Sequence, residues 1–335
     1  FLYLNTSKRS VTLRVDCPTG TALFRELVVQ ADILVESFPS GTLEGLGLGY
    51  DALSQLNPGL VVTSIRPFGQ TGPYSDHASR EINLYAIGGL MHITGEPDRE
   101  PLKEGASLSQ YGAGQNAFVA TLTALWHREL TGEGQWVDLS MAEYNVSILE
   151  NAISAYSYAG HVVSRSGNHG YGRAAWGIYP CQDGHVGIIA GPVDRWPAVA
   201  EIMQREELRD PRFATQAGRG EYADEVDALM LPWLVVHGKL EIFNQGQEQG
   251  LAFAYVASPQ DLLECEQLQD RGYFVEVAHP VAGRWEYPGA PFKTSQGAWH
   301  VGPAPLLGQH NNEVFCGRLG YSQEDLVVLR QMGAI

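Results

Sequence analysis

The stretch ADILVESFPSGTLEGLGLGYDALSQLNPGLVVTSIRPF, Ala31 to Phe68, decides the fold class. DILVESF (Asp32–Phe38) and LVVTSIRPF (Leu60–Phe68) are short apolar runs bounded by turn residues, the mark of buried strands. YDALSQLN between them has helical spacing, and glycine and proline punctuate each junction. Two strands joined through a helix cannot form a hairpin, so the stretch predicts a βαβ unit and a mostly parallel sheet. Outward toward the N-terminus, SVTLRVD (Ser10–Asp16) predicts another strand and TGTALFRELVVQA a helix. Toward the C-terminus, a helix is expected over Gly114–Leu130, with Phe118, Leu122 and Leu125 on one side and Gly132 and Gly134 ending it. QWVDLS then reads as a strand and MAEYNVSILENAISAYSYAG as one long helix, on which Glu143 and Glu150 are solvated charges. The pattern is that of an α/β protein.

The composition shifts at RSGNHGYGRAAWG (Arg165–Gly177), a glycine-rich segment read as a loop leaving the first domain. YPCQDGHVGIIAG follows as a hairpin with Asp183-Gly184 at the turn. RWPAVAEIMQ and EYADEVDALMLPWLVVHG are helical, with short strands between. The expected division is a large domain over residues 1–175 and 285–335 and a smaller α+β domain over residues 176–284. The tail from Ala304 starts as a loop and ends in two helical patterns.

The chain has 335 residues, is 44% hydrophobic and carries a formal charge of −16. That charge disfavours nucleic acid and anionic membrane as partners, because both require a basic face. No apolar run is long enough for a membrane-spanning helix, and the N-terminal apolar part is too short for a signal peptide. Cys17, Cys181, Cys265 and Cys316 are scattered without a CxxC pair, so we expect core thiols, no metal site and a cytoplasmic setting. An anionic small molecule must be met by a few placed cations and backbone amides. GLGLG lacks the strand–turn–helix context of a dinucleotide fingerprint.

NTSKRSVTL, ADILVESFPSGTLEGLGLGYDALSQLNPGLV, FGQTGPYSD, TALWHRELTGEGQWVDLSMAE, RSGNHG, HPVAGRWEYPGAPFKTS and PAPLLGQHNNEVF resemble, in order, the elements of the family III CoA-transferases. That group includes formyl-CoA transferase and carnitine CoA-transferase, with the α-methylacyl-CoA racemases as a branch. The resemblance implies a large Rossmann-like CoA-binding domain built from both ends of the chain, a smaller inserted domain and an interlocked dimer. It also implies a strand and helix ahead of the KRS element, which this sequence does not contain. The substrates it implies are an acyl-CoA and a carboxylic acid; no tightly bound cofactor is expected.

In the transferases an aspartate attacks the acyl-CoA thioester, giving a mixed anhydride that returning CoA thiolate converts to an enzyme thioester. Counting back from TALWHREL places Gln110 at that aspartate's position, and a carboxamide has no anionic oxygen with which to attack. The racemases pair the same aspartate with a histidine in a GHDIN segment. Here the segment reads SREIN, and Arg80 cannot exchange a proton near neutral pH, which disfavours racemisation. Glu81 is the surviving carboxylate, either a structural acid or a replacement nucleophile, and Tyr111 is a possible donor to a thioester carbonyl. The resemblance places Ser37, Phe38, Lys8, Arg9 and Arg80 toward CoA. It places the loop Asn168, Gly170, Tyr171 and Gly172 over the reacting centre, a role that suits glycine. The implied function is movement of CoA between an acyl-CoA and a carboxylic acid. It is carried out either by a homodimer or by one subunit of a heterodimer whose paralogous partner supplies the aspartate. The alternative is a non-catalytic CoA-binding or assembly subunit.

Overall fold

The computed structural model describes residues 1–170, 172–191, 193–297 and 299–335. It divides into two compact units. One comprises Phe1–Leu90, Glu104–Glu150 and Glu266–Ile335; the other comprises Met91–Lys103 and Asn151–Cys265. The boundaries expected from the sequence are 175/176 and 284/285.

The first unit is built on a parallel sheet of β1 (Ile33–Glu36), β2 (Val61–Arg66) and β3 (Trp136–Ser140), with β2 in the middle. Ile33 pairs with Val61 and Val62 with Trp136, so the βαβ reading of Ala31–Phe68 holds, each strand being shorter than the run that predicts it. Nearly all of β2 is buried, as a central parallel strand covered on both faces must be. Leu48, Leu53, Leu60 and Val62 form a core on which the Pro18–Val29 helix closes. Asn57 fixes the turn into β2 by donating Nδ2 to the carbonyls of Val28 and Ala31 at 3.0 and 2.8 Å.

The Leu108–Thr131 helix lies along this sheet, and the hydroxyls of Thr121 and Thr63 meet at 2.6 Å in the buried contact. It begins six residues before the expected start at Gly114, so position 110 lies in the first helical turn and not in a loop. Its end agrees with expectation: Gly132 adopts φ 81° and its N–H bonds the Arg128 carbonyl at 2.7 Å.

Two further expectations in this unit are corrected. Ser10–Asp16 joins no sheet: Ser10–Arg14 has no regular structure and Val15-Asp16 lie in a turn. Its amides are taken by the C-terminal tail: Ser10 N–H by His310 Nδ1 at 3.0 Å, Thr12 N–H by Asn311 Oδ1 at 2.9 Å, and Arg14 N–H by the Ala334 carbonyl at 2.8 Å. The expected long helix from Met141 is two helices, Met141–Ser147 and Ala152–Ala159. The break carries Glu150 at φ 50°, and Leu149 turns inward against Gly89. Glu143 and Glu150 are exposed, as expected of solvated charges.

The second unit holds an antiparallel sheet of β4 (Trp176–Cys181), β5 (Gly184–Ile189) and β6 (Ala252–Tyr255); the expected hairpin forms, with Gln182-Asp183 as its turn and Gly184 already paired with Cys181, one residue earlier than the Asp183-Gly184 turn expected. Trp196, Val199, Phe213, Met230 and Ile242 pack one continuous core. Arg219 is buried in it, its guanidinium donating to the carbonyls of Ala174 and Phe213 at 2.9 and 3.0 Å and lying over the Trp196 ring. Burial lowers its pKa, yet two carbonyls and an aromatic face keep the cation satisfied. The four cysteines are unpaired and partly exposed, not the core thiols expected. Among the described residues no helix is long and apolar enough to cross a membrane.

Candidate active site

Glu81 and Gln110 meet at the start of the Leu108–Thr131 helix. The first turn of any helix leaves amide hydrogens without intrahelical partners, and here the preceding Ser107 side chain caps none of them. The carboxylate of Glu81 takes them instead. Its Oε1 accepts the Ser109 N–H at 2.8 Å and its Oε2 accepts the Gln110 N–H at 3.3 Å. An anion at the positive end of a long helix is stabilised by the same amides and by their aligned dipoles. Glu81 is itself the first residue of the Glu81–Ile87 helix, whose entry is fixed by Arg80 N–H donating to Asn83 Oδ1 at 3.1 Å.

Asn145 locks these pieces together. It is fully buried and donates Nδ2 to the Leu84 carbonyl and to Ser109 Oγ, both at 2.9 Å, joining three helices at one point. Its Oδ1 is buried without a hydrogen-bond partner. Neither Asn145 nor Ser109 was singled out from the sequence, where a polar residue in a helical pattern carries no mark of its partner.

The Gln110 side chain is exposed and makes no hydrogen bond among the described residues. Tyr111, the next residue, is also exposed. Arg80 does not pair with Glu81; its guanidinium donates to the Ser79 carbonyl at 3.2 Å and stays at the surface. The structure thus gathers Arg80, Glu81, Gln110 and Tyr111 at or beside one helix start, with a carboxylate committed to backbone amides beside a free carboxamide.

The remaining candidates lie elsewhere in their units. Ser37 and Phe38 follow β1 and are exposed. The turn is held by buried Glu36, which accepts the Phe38 N–H at 2.7 Å and Gln70 Nε2 at 3.3 Å, two residues the sequence reading did not select. Lys8 and Arg9 border a cleft of about 340 Å³ with Pro280, Pro305 and His310. Lys8 donates to Asn5 Oδ1 at 3.1 Å and Arg9 pairs with Glu313 at 2.5 Å.

The glycine-rich segment belongs to the second unit. Asn168–Gly170 runs against β4: Ile178 N–H donates to the Asn168 carbonyl at 3.2 Å and Gly170 N–H to the Trp176 carbonyl at 2.9 Å. A side chain at Gly170 would collide with the Trp176 ring, its Cβ falling 2.9 Å from it, which explains glycine there. Gly172 adopts φ 63°. Tyr171 lies outside the described residues. Among the described residues no group of histidine, cysteine and carboxylate side chains could hold a metal ion.

Taken together, the parallel-sheet unit built from both ends of the chain and the antiparallel unit define a mixed α/β protein. A CaiB/BaiF family protein from Brucella suis superposes with a TM-score of 0.84 over 93% of this chain and 82% of that one, at 28% identity. The model of CoA-transferase family III matches residues 1–311. The chain belongs to CoA-transferase family III. Among its relatives are a succinyl-CoA–D-citramalate CoA-transferase of Chloroflexus aurantiacus, 35% identical over 98% of this chain and 82% of that protein, and a formyl-CoA:oxalate CoA-transferase of Streptomyces coelicolor, 31% identical over all of this chain and 86% of that protein.

Proposed function

We propose that this chain is a subunit of a CoA-transferase that moves CoA between an acyl-CoA and a carboxylic acid, and that the attacking carboxylate is not supplied by position 110. Relatives named for CoA transfer between acids support the reaction class. The observation that carries the second half is the geometry of Glu81 and Gln110. The neighbouring carboxylate has both oxygens on the amides that open the helix, and the side chain at the nucleophile position is a neutral amide facing solvent. In this arrangement Glu81 is a cap that sets the helix start, and Gln110 is a hydrogen-bond donor suited to a thioester carbonyl. The nucleophile then comes from a homologous partner subunit.

A partner is supported by the outer face of the same helix. Phe118, Val119, Leu122, Trp126 and Leu130 are all exposed, Trp126 to 69% and Leu130 to 71%. An apolar stripe of this length on one helix marks an interaction surface, and the interlocked dimer implied by the family is the occupant that fits. In this reading the large unit is a Rossmann-like CoA-binding domain, acyl-CoA is a substrate and not a resident cofactor, and the unpaired cysteines suit a cytoplasmic setting.

The test is mass spectrometry of new CoA esters formed from acyl-CoA and carboxylic acid panels, with Gln110→Asp beside the unaltered protein. Activity restored by Gln110→Asp, or by a paralogous subunit, supports the reading. CoA binding without turnover in every form would favour an assembly subunit instead.

A further inference from the structure

The second unit contains a groove of about 660 Å³ on the open side of the β4–β5–β6 sheet, bordered by the Gly167–Gly170 segment. Its walls are apolar, with Trp176, Ile178, Ile189 and Phe253, and its floor is small: a side chain added at Gly187 would meet nothing within 4 Å. The chain has 38 aspartate and glutamate residues, yet no carboxylate lines this groove among the described residues. In a protein of charge −16, a groove without carboxylates offers an anionic ligand no lining charge of its own sign.

Its polar groups sit at one lip. Gln247 is occupied, donating Nε2 to the Phe253 carbonyl at 2.9 Å. Asn168 and His169 are not so consumed. The Asn168 side chain makes no hydrogen bond among the described residues, and His169 turns Nδ1 toward Asp227 Oδ2 at 3.5 Å. Asp227 is held in turn by the Tyr179 hydroxyl, which donates to its other oxygen at 2.9 Å. Asp227 is largely buried and His169 is 43% exposed, so the array runs from the interior to the groove. A ring whose Nδ1 is turned to a fixed carboxylate presents Nε2 on its other side, which is the general logic by which a second group sets the role of a histidine.

We propose that this groove binds a carboxylic acid with an apolar body, and that His169, positioned by Asp227 and Tyr179, together with Asn168, recognises its carboxylate. The acid's carboxylate accepts from the Nε2–H of His169 and from the Asn168 amide, while the hydrocarbon lies along Trp176, Ile178 and Ile189. The ligand class rests on the CoA-transfer reading, in which a carboxylic acid is the second substrate; the groove and its array stand on their own geometry.

The test uses the full chain with hexanoate as probe and hexanamide as its neutral counterpart, by calorimetry and by following the His169 imidazole nitrogens in NMR spectra. CoA binding is measured separately. Hexanoate is expected to bind saturably and to shift the His169 Nε2 resonance. Hexanamide and the His169→Gln variant are each expected to show affinity weaker by about tenfold or more, the loss of one charge-assisted hydrogen bond, with the variant's unfolding midpoint unchanged. Equal binding of hexanoate and hexanamide, undiminished binding by His169→Gln, or no saturable hexanoate binding would each overturn the assignment. Failure of CoA to bind, with hexanoate bound as described, would reject the CoA-transfer reading and leave the acid site standing.

Discussion

Removing the carboxylate of Glu81 should destabilise the parallel-sheet unit by an amount the structure allows to be estimated. The side chain accepts two helix-opening amides, at 2.8 and 3.3 Å, across 28 residues of sequence. Loss of a cap of this kind costs about 0.5–2 kcal/mol, and loss of a negative charge at a helix N-terminus about 0.3–1 kcal/mol. Glu81 is partly exposed, so Glu81→Ala should cost about 1–3 kcal/mol in all. For a unit of this size that is a fall of roughly 3–9 °C in the unfolding midpoint. Glu81→Gln keeps an acceptor but not the charge and should fall between Glu81→Ala and the unaltered protein, with the gap to the latter narrowing in high salt. The assay is thermal unfolding followed by circular dichroism, beside CoA-ester formation in the Gln110→Asp background. An unmoved midpoint for Glu81→Ala would refute the capping role. If Glu81→Gln left the midpoint in place and abolished transfer by the otherwise unaltered protein, Glu81 would be the nucleophile and the argument above would be wrong.

Other perturbations test the packing, the buried acid and the assembly. A Cβ at Gly134 would stand 2.1 Å from the Leu60 carbonyl oxygen, a backbone atom that cannot swing aside, whereas one at Gly114 would meet nothing within 4 Å. Gly134→Ala should therefore cost about 1–3 kcal/mol and Gly114→Ala, inside a helix, should gain about 0.5–1 kcal/mol; chemical denaturation of the two variants checks the contrast. Burial raises the Asp227 carboxyl above the usual aspartate range, against the opposing effects of the Tyr179 hydroxyl and His169. The folded protein therefore holds that proton more tightly than the unfolded chain. The cost of ionised Asp227 is full above its raised pKa and is relieved as pH falls through it toward the ordinary value. Stability relative to Asp227→Asn should rise as pH is lowered through that window, and a flat or opposite trend in denaturation midpoints would contradict it. Trp126→Asp, on the exposed helix stripe, should convert a dimer into monomer in light scattering; a monomeric parent protein, or an undisturbed dimer, would remove the stripe from the interface.

The central strand β2 was legible because a strand buried on both faces is written as a continuous apolar run, as in LVVTSI, and its half-exposed neighbours β1 and β3 because short β-branched and apolar segments there are bounded by turn residues. The β4–β5 hairpin was legible for an equally local reason, although its turn is Gln182-Asp183. The start of the Leu108–Thr131 helix was not: Gly112 and Gly114 weaken the local signal, and the capping group is Glu81, distant in sequence. Ser10–Asp16 has the composition of a strand, but its amides are claimed by His310, Asn311 and Ala334 at the far end of the chain, so no ladder forms. At the site, the offset of Gln110 from TALWHREL put it near the start of the helix, where the structure has it in the first turn. Glu81 was visible as a carboxylate but not as a cap. Asn145 and the His169–Asp227–Tyr179 array depend on contacts between segments far apart in sequence, and no periodicity announces them.

With Gln110 in the first turn of the Leu108–Thr131 helix, this member of CoA-transferase family III carries no carboxylate at position 110. The most direct measurement is formation of new CoA esters, followed by mass spectrometry, by the purified protein and by Gln110→Asp under the same conditions. The unaltered protein should form no new CoA ester, and Gln110→Asp should transfer CoA. Efficient transfer by the unaltered protein alone would contradict it.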